Sequence, residues 1–221
     1  MPHKVKIRSI DKITHDVLHL KLDKPANFVY IPGQAADICV DKPGWEEEKS
    51  CFTFVSLPAD DHLEFIIKTY PKRKRVTAQL LQLKAGDQII LHEPFGEIAY
   101  KGPGLFIAGG AGITPFIAIL RELQEKDAVK GSRLIFANKT SRDIIMQNEL
   151  ETLLGNDLIN ILSEENTAAY ETGHISEELI RKYLQPDDHV YLCGPPPMMD
   201  AVEGMLRDLN IDEERVVKEG F

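Results

Sequence analysis

Cysteine is scarce in this 221-residue chain. Cys39, Cys51 and Cys193 are the three it has, far apart and in no CxxC or Cys/His spacing. That argues against a zinc or iron–sulfur site, and scattered cysteines suit a reducing compartment. The seven histidines form no HExxH pair, so no metal is expected. No apolar run approaches the ~18 residues of a membrane helix, and the opening MPHKVKIRSIDK has no apolar leader. A cytoplasmic chain without a membrane partner is therefore expected. Basic charge is short as well, with 26 Lys+Arg against 35 Asp+Glu and a net charge of −9. This speaks against nucleic acid as a partner. Internal repeats and low-complexity tracts are absent.

What is present divides in two. Residues 1–103 hold 15 basic and 14 acidic residues, and residues 104–221 hold 11 and 21. Such asymmetry suggests two domains with different surfaces. The first half is β-rich. VKIRSI, VLHLKL, AADICV, SCFTFVS, LEFIIKTY and QIILHEP are short runs separated by turn signals such as Pro32-Gly33, Pro43-Gly44 and Gly86-Asp87, the pattern of a barrel or sandwich. One helix, 76–83, interrupts them. The second half alternates strands at 105–109, 133–138, 158–163 and 190–194 with helices over 116–126, 143–154 and 176–184. The first and last of these strands are continuous apolar runs, as in a doubly wound parallel sheet. The KGPG segment at 101–104 reads as a hinge.

Three motifs in the second half carry chemistry. In LFIAGGAGITPF a buried strand runs into Gly109, Gly110, Ala111, Gly112, Ile113 and Thr114 before a helix with Pro115 in its first turn. Such a turn lets backbone N–H groups and a helix N-terminus meet a pyrophosphate; the bland alternative is a tight strand-to-helix turn. In VYLCGPPPMMDAV a strand ends at Cys193-Gly194, followed by Pro195, Pro196, Pro197 and Met198. Three prolines form either a stiff extended wall or a helix start with excess proline. In FANKTSRDII, Asn138, Lys139, Thr140 and Arg142 follow a strand, and no acidic residue precedes Asp143. An acidic residue there would suit the 2′-hydroxyl of NAD; Lys139 and Arg142 instead suit a 2′-phosphate, so NADPH is expected over NADH. In the first half, YPKRKRVTAQL places four consecutive basic residues before a helix, either a solvated hairpin or an anion site.

Taken in order, SCFTFVS, RVTAQL, GDQIILHEPFGEI, GGAGITPF, CGPPPMM and the terminal EGF resemble the motif set of the ferredoxin–NADP reductase superfamily, in its compact flavodoxin-reductase-like form. The resemblance spans nearly the whole chain. It implies a six-stranded antiparallel FAD-binding β-barrel over 1–101 and a doubly wound NAD(P)-binding α/β domain over 102–221. No iron–sulfur domain is expected within these residues. It implies that Phe52 packs on the flavin ring, that Thr53 bonds near flavin N5 or O4, and that Arg75-Val76-Thr77 holds the pyrophosphate. Thr114 and Cys193 would flank the nicotinamide, and Phe221 would cover the other flavin face. Thr53, Cys193 and Phe221 are thus the expected catalytic residues. FAD is favoured over FMN.

Two departures from the family pattern stand out. Ser50 replaces the arginine that pairs with flavin phosphates, and Arg75 replaces a small glycine. Arg75, Lys49 or Lys68 would then supply the missing charge. Glu219 near the terminus is a further candidate for charge handling. The resemblance implies hydride transfer from NAD(P)H to FAD, then single electrons to a small, acidic redox protein such as a flavodoxin or ferredoxin, by a monomer. The alternatives are another acceptor (free flavin, quinone, haem protein or an oxygenase partner) or a domain that has lost its flavin and senses dinucleotides.

Overall fold

The computed structural model describes residues 2–70 and 75–219. The expected residues Phe221 and Lys72–Lys74 lie outside them. The N-terminal part consists of β1 (His3–Lys12), β2 (Val17–Asp23), β3 (Ala35–Val40), β4 (Ser50–Thr53), β5 (His62–Lys68), a short helix α1 (Val76–Leu80) and β6 (Gln88–Phe95). The six strands pair antiparallel in the order β4-β3-β6-β1-β2-β5. A bridge between Phe54 and Phe65 joins the outer edges, so the sheet nearly closes on itself. Period-2 alternation sends Leu18, Leu20 and Leu22 of β2 inward with Ile38, Phe54, Leu63, Phe65 and Leu91. Val76 and Leu80 of α1 plug this core.

Two expected elements are shorter than their apolar runs. The strand over 50–56 ends at Thr53 because the chain changes partner there. Phe54 donates its N–H to Gln34 and Val55 donates to Glu64 on the opposite edge. The helix over 76–83 ends at Leu80 because the following turns tighten to i→i+3 bonds, Gln82 to Gln79 and Leu83 to Leu80.

The C-terminal part runs β7 (Gly104–Gly109), α2 (Thr114–Glu125), β8 (Ser132–Asn138), α3 (Gln147–Leu154), β9 (Leu158–Leu162), β10 (Glu171–Thr172), α4 (Glu177–Tyr183), β11 (His189–Cys193), α5 (Pro196–Asp208) and β12 (Val216–Lys218). Its strands are parallel in the order β10-β9-β8-β7-β11-β12. Successive side chains serve opposite faces. Phe106, Ala108, Leu134 and Phe136 pack under α2 and α3; Leu105, Ile107, Ile135 and Ile161 pack under α4 and α5. This is the expected doubly wound sheet. The edge strands β10 and β12 are too short to show as sequence runs.

One expectation is corrected here, and one open alternative is decided in favour of a helix start. The helix read over 143–154 starts at Gln147, since Thr140 and Asp143 form a capping box on a 3₁₀ turn and Met146 adopts a left-handed φ of 53°. The three prolines are not an extended wall: Pro195 alone is extended, and Pro196 opens α5. The first helical position needs no N–H, so proline fits it.

The two parts share a packed boundary. Val17, Val55 and Ile66 of the barrel join the core under α2. Nor is KGPG a free hinge, because the Tyr191 hydroxyl accepts from the N–H groups of Lys101 and Gly102 (2.9 and 3.0 Å) and donates to the Gly102 carbonyl (2.7 Å).

Candidate flavin and dinucleotide site

In the parallel sheet, connections leave β7 toward β8 on one side while β11 lies on the other. The carboxyl ends of β7 and β11 therefore flank a topological switch point, where open α/β sheets bind ligands. The Gly-rich turn sits there. A Cβ on Gly112 would overlap the carbonyl of Cys193, so this glycine lets the two turns touch. Gly110 is different. Its φ is +52° and a Cβ would meet nothing within 4 Å, so it faces open space where a ligand can approach the backbone. Ala111 and Ile113 complete the 3₁₀ turn, and Thr114 begins α2 with its hydroxyl donating to the Ala111 carbonyl at 3.0 Å. Met198 and Pro195 close on Gly109 and Gly194. The bland and the sharp readings of this motif thus divide between its glycines.

Barrel and α/β part meet at this same place. Cys193, at the end of β11, is 2% exposed. Burial pushes its thiol up to about 12, with smaller contributions from Glu219 and Cys51. Cys51, on β4 next to Phe52, is likewise pushed up to about 12, by burial and then by Asp37 and Glu219. The Glu219 carboxylate itself lies against Gly96, just past β6 of the barrel. Both thiols stay protonated, so Cys193 is an apolar wall and not a nucleophile. Burial also pushes the Glu219 carboxyl above its ordinary range, aided by the Glu97 charge and opposed by a Glu97 backbone hydrogen bond. Its Oε2 is buried without a hydrogen-bond partner among the described residues. An open cavity of about 400 Å³ lies beside it, lined by Glu97, Gly194, Pro196, Met199 and Glu219 among others.

On the barrel, Thr53 is buried and Phe52 half-buried against the barrel core. Arg75 precedes α1 in extended conformation and is exposed. Val76 and Thr77 are buried, and the Thr77 hydroxyl has no hydrogen-bond partner among the described residues. An orphaned buried hydroxyl at the start of α1 fits a phosphate oxygen as its missing partner. Of the three cations expected to replace the family arginine, Lys68 is 3.0 Å from Asp16 and Lys49 is 3.5 Å from Asp37. Arg75 has no ion-pair partner among the described residues. His15 lies 3.8 Å from Asp16 and 3.7 Å from Asp143, but Lys68 and Thr140 already occupy these carboxylates.

At the end of β8, Asn138 is buried, and neither of its side-chain polar atoms has a partner among the described residues. The next residues are fully engaged. Lys139 is 2.7 Å from Glu164. Ser141 donates its N–H to Glu165 at 2.7 Å and its hydroxyl to the same carboxylate at 2.9 and 3.0 Å. Thr140 donates through N–H and hydroxyl to Asp143. Arg142 is exposed. Sequence reading missed Glu164 and Glu165, which follow β9; only the pairing of β8 with β9 brings them here.

It also missed Arg121. From α2 this residue reaches the Val55 carbonyl (2.7 Å) and Glu64 (3.0 Å) on the barrel, and Glu149 on α3 (2.5 and 2.9 Å). Burial alone would raise the Glu64 pKa, but contacts with His19, Lys21 and His62 and the charge of Arg121 hold it far below the usual carboxylate range. This cluster ties barrel to sheet.

Residues 3–104 match the FAD-binding domain family and residues 106–204 the oxidoreductase NAD-binding domain family. The reductase component of propane 2-monooxygenase from Mycolicibacterium goodii is 30% identical over 99% of this chain and 67% of its own length. The chain belongs to the ferredoxin–NADP reductase superfamily. Among solved members, the CS-b5R domains of human Ncb5or in the NAD+ form superpose with a TM-score of 0.86 at 27% identity, covering 99% of this chain and 69% of that one. The ferredoxin reductase in carbazole 1,9a-dioxygenase gives 0.84 at 26%, covering 100% and 69%. The chain spans about two thirds of the curated relatives it matches, 67% of the Mycolicibacterium goodii component and 63% of the corresponding reductase component from Rhodococcus jostii. It is thus a flavoprotein oxidoreductase by family, with FAD and a nicotinamide dinucleotide as its cofactor classes. Among the described residues no helix is long and apolar enough to cross a membrane.

Proposed function

We propose that the chain is an NAD(P)H reductase that hands electrons to a separate redox protein, with a barrel over 1–101 holding FAD and residues 102–221 holding the dinucleotide. The observation that carries this reading is geometric: Gly96 and Glu97 of the barrel side meet Glu219 and Gly194 around one cavity, beside the switch point where Gly112 touches Cys193. A flavin against Phe52 and Thr53 would there lie beside a nicotinamide against Thr114 and Cys193. FAD, when bound, takes a hydride from the nicotinamide and gives up electrons singly.

The chain's own residues bind and exclude. Phe52 offers a ring face and Thr53 a hydroxyl beside it. Thr77 and Arg75 hold phosphate oxygens, Arg75 in place of the arginine that Ser50 lacks. Gly110–Thr114 cradle the dinucleotide pyrophosphate, while Asn138, with two unpartnered polar atoms, and the Gly194–Met198 turn line the rest of its path. Cys193, protonated and buried, keeps water from the transfer. Phe221 belongs to the same proposal as the aromatic over the outer flavin face.

For the acceptor, the functions of the relatives favour the oxygenase-partner alternative: a monooxygenase reductase component and a dioxygenase ferredoxin reductase. A small ferredoxin- or flavodoxin-like carrier on the way to such an oxygenase meets both expectations. The test is the visible spectrum of the purified protein before and after incubation with FAD and desalting, followed by anaerobic addition of NADH and NADPH. Retained flavin that bleaches on addition is expected. A protein that stays colourless after incubation would overturn the reductase and leave a dinucleotide sensor.

A further inference from the structure

In a dinucleotide fold the end of the second strand reads the adenosine ribose, and an acidic side chain there accepts from its 2′-hydroxyl. In this chain the second strand is β8, and its loop looks basic in sequence. Apart from the exposed Arg142, its polar side chains are nonetheless spoken for. Lys139 donates to Glu164, Ser141 donates by N–H and hydroxyl to Glu165, and Thr140 donates to Asp143. The β8–β9 ladder continues past the strand ends, with Ser163 donating to Asn138 and Glu164 to Lys139 through backbone N–H groups. This fixes both glutamates beside the loop.

We infer that Glu164 and Glu165, delivered from β9, make this site select the unphosphorylated dinucleotide, NADH over NADPH. A 2′-phosphate brings between one and two negative charges and needs donors. Here it would have to displace carboxylates from Lys139 and Ser141 and then remain beside them. A 2′-hydroxyl needs an acceptor, and a carboxylate has lone pairs to spare after these bonds. Glu165 carries most of the selection. It is half-buried and holds a backbone N–H, whereas the Lys139–Glu164 pair is solvent-exposed and correspondingly weak. Arg142 is the exposed cation in this loop, set against two carboxylates.

The inference rests on the dinucleotide site proposed above, and one experiment separates their failures. NAD+ and NADP+, which do not turn over alone, are titrated into the FAD-loaded protein by calorimetry, for wild type, Glu165→Gln and the Glu164→Gln/Glu165→Gln pair. Glutamine keeps the acceptor oxygen for Ser141 and so spares the loop. NAD+ should bind wild type more tightly than NADP+ by roughly tenfold or more, the scale of one charge-assisted contact. The paired variant should lose most of that preference, chiefly by gaining NADP+ affinity. Equal or tighter NADP+ binding to wild type, or a preference that the paired variant leaves unchanged, overturns the assignment while the reductase stands. If neither dinucleotide binds, the underlying site is wrong and the assignment falls with it.

Discussion

The turn at Gly109–Thr114 and the loop at Lys139–Asp143 each follow a central parallel strand, yet they treat their polar groups in opposite ways. The turn carries no charge and leaves backbone open at Gly110. The loop carries two cations, one of them already paired, and its hydroxyl and backbone donors are closed by Glu164, Glu165 and Asp143. The neutral segment is therefore the more available to an anion. Formal charge in a sequence says what a loop contains; pairing decides what it offers.

The most damaging way to break this contrast is to remove the frame both segments stand on. Arg121 joins α2, which continues the turn, to α3, which continues the loop, and both to the barrel. Arg121→Ala should cost about 3 kcal/mol in urea unfolding, since it strips a partner from buried Glu64. Lys21 and His62 remain with Glu64 and hold the loss at that level. Next comes the turn itself. Gly112→Ala should cost about 1–3 kcal/mol, because its Cβ meets backbone rather than a yielding side chain. Dinucleotide affinity should fall with it, measured by the same titration.

Thr77→Val sharpens the comparison on the barrel side. If the orphan hydroxyl belongs to a flavin phosphate, FAD affinity should fall roughly tenfold, while the flavin-free protein unfolds at unchanged or slightly higher urea. A drop in flavin-free stability with unchanged FAD affinity would make Thr77 structural. The smallest effect belongs to the closed loop. Asp143→Ala removes a capping box and should cost about 1 kcal/mol.

Acid adds a further measurement. Burial would raise the Asp143 pKa, but the Thr140 side-chain and backbone bonds lower it, and Glu64 is lowered too. Both folded pKa values lie below the unfolded ones. Their stabilisation is whole above the ordinary carboxylate range and is lost as pH falls below about 4. Urea midpoints between pH 3 and 6, at roughly that spacing around the carboxylate range, should decline more steeply in wild type than in Asp143→Ala.

Much of the fold could be read from local pattern. Alternation marked the barrel strands, and continuous apolar runs such as LFIAG marked buried parallel ones. The Gly-rich turn announced itself by strand, glycines and proline in sequence. What escaped depends on neighbours in space. Glu165 meets Ser141 across 24 positions and Arg121 meets Glu64 across 57, and no periodicity encodes either pairing. The prolines left two readings open for a local reason: PPP suits an extended rod or a first helical turn, and the strand end at Cys193 puts Pro196 in the latter. The expectation of NADPH uses Lys139 and Arg142 alone; the glutamates that follow β9 enter only through the β8–β9 pairing, and the proposed titration decides between the two dinucleotides.

The phenol of Tyr191 has a mechanical meaning. It holds the crossing between the two halves by three hydrogen bonds from the middle of a central strand, stacked on Phe106 with centroids 4.3 Å apart. The crossing thus has no slack: turning one half against the other must first break bonds inside the sheet. Together with Arg121, which ties α2 and α3 to the barrel, it makes the two halves a bolted joint; under the proposed function, the spacing of flavin and dinucleotide would be set at folding and not at each encounter with substrate.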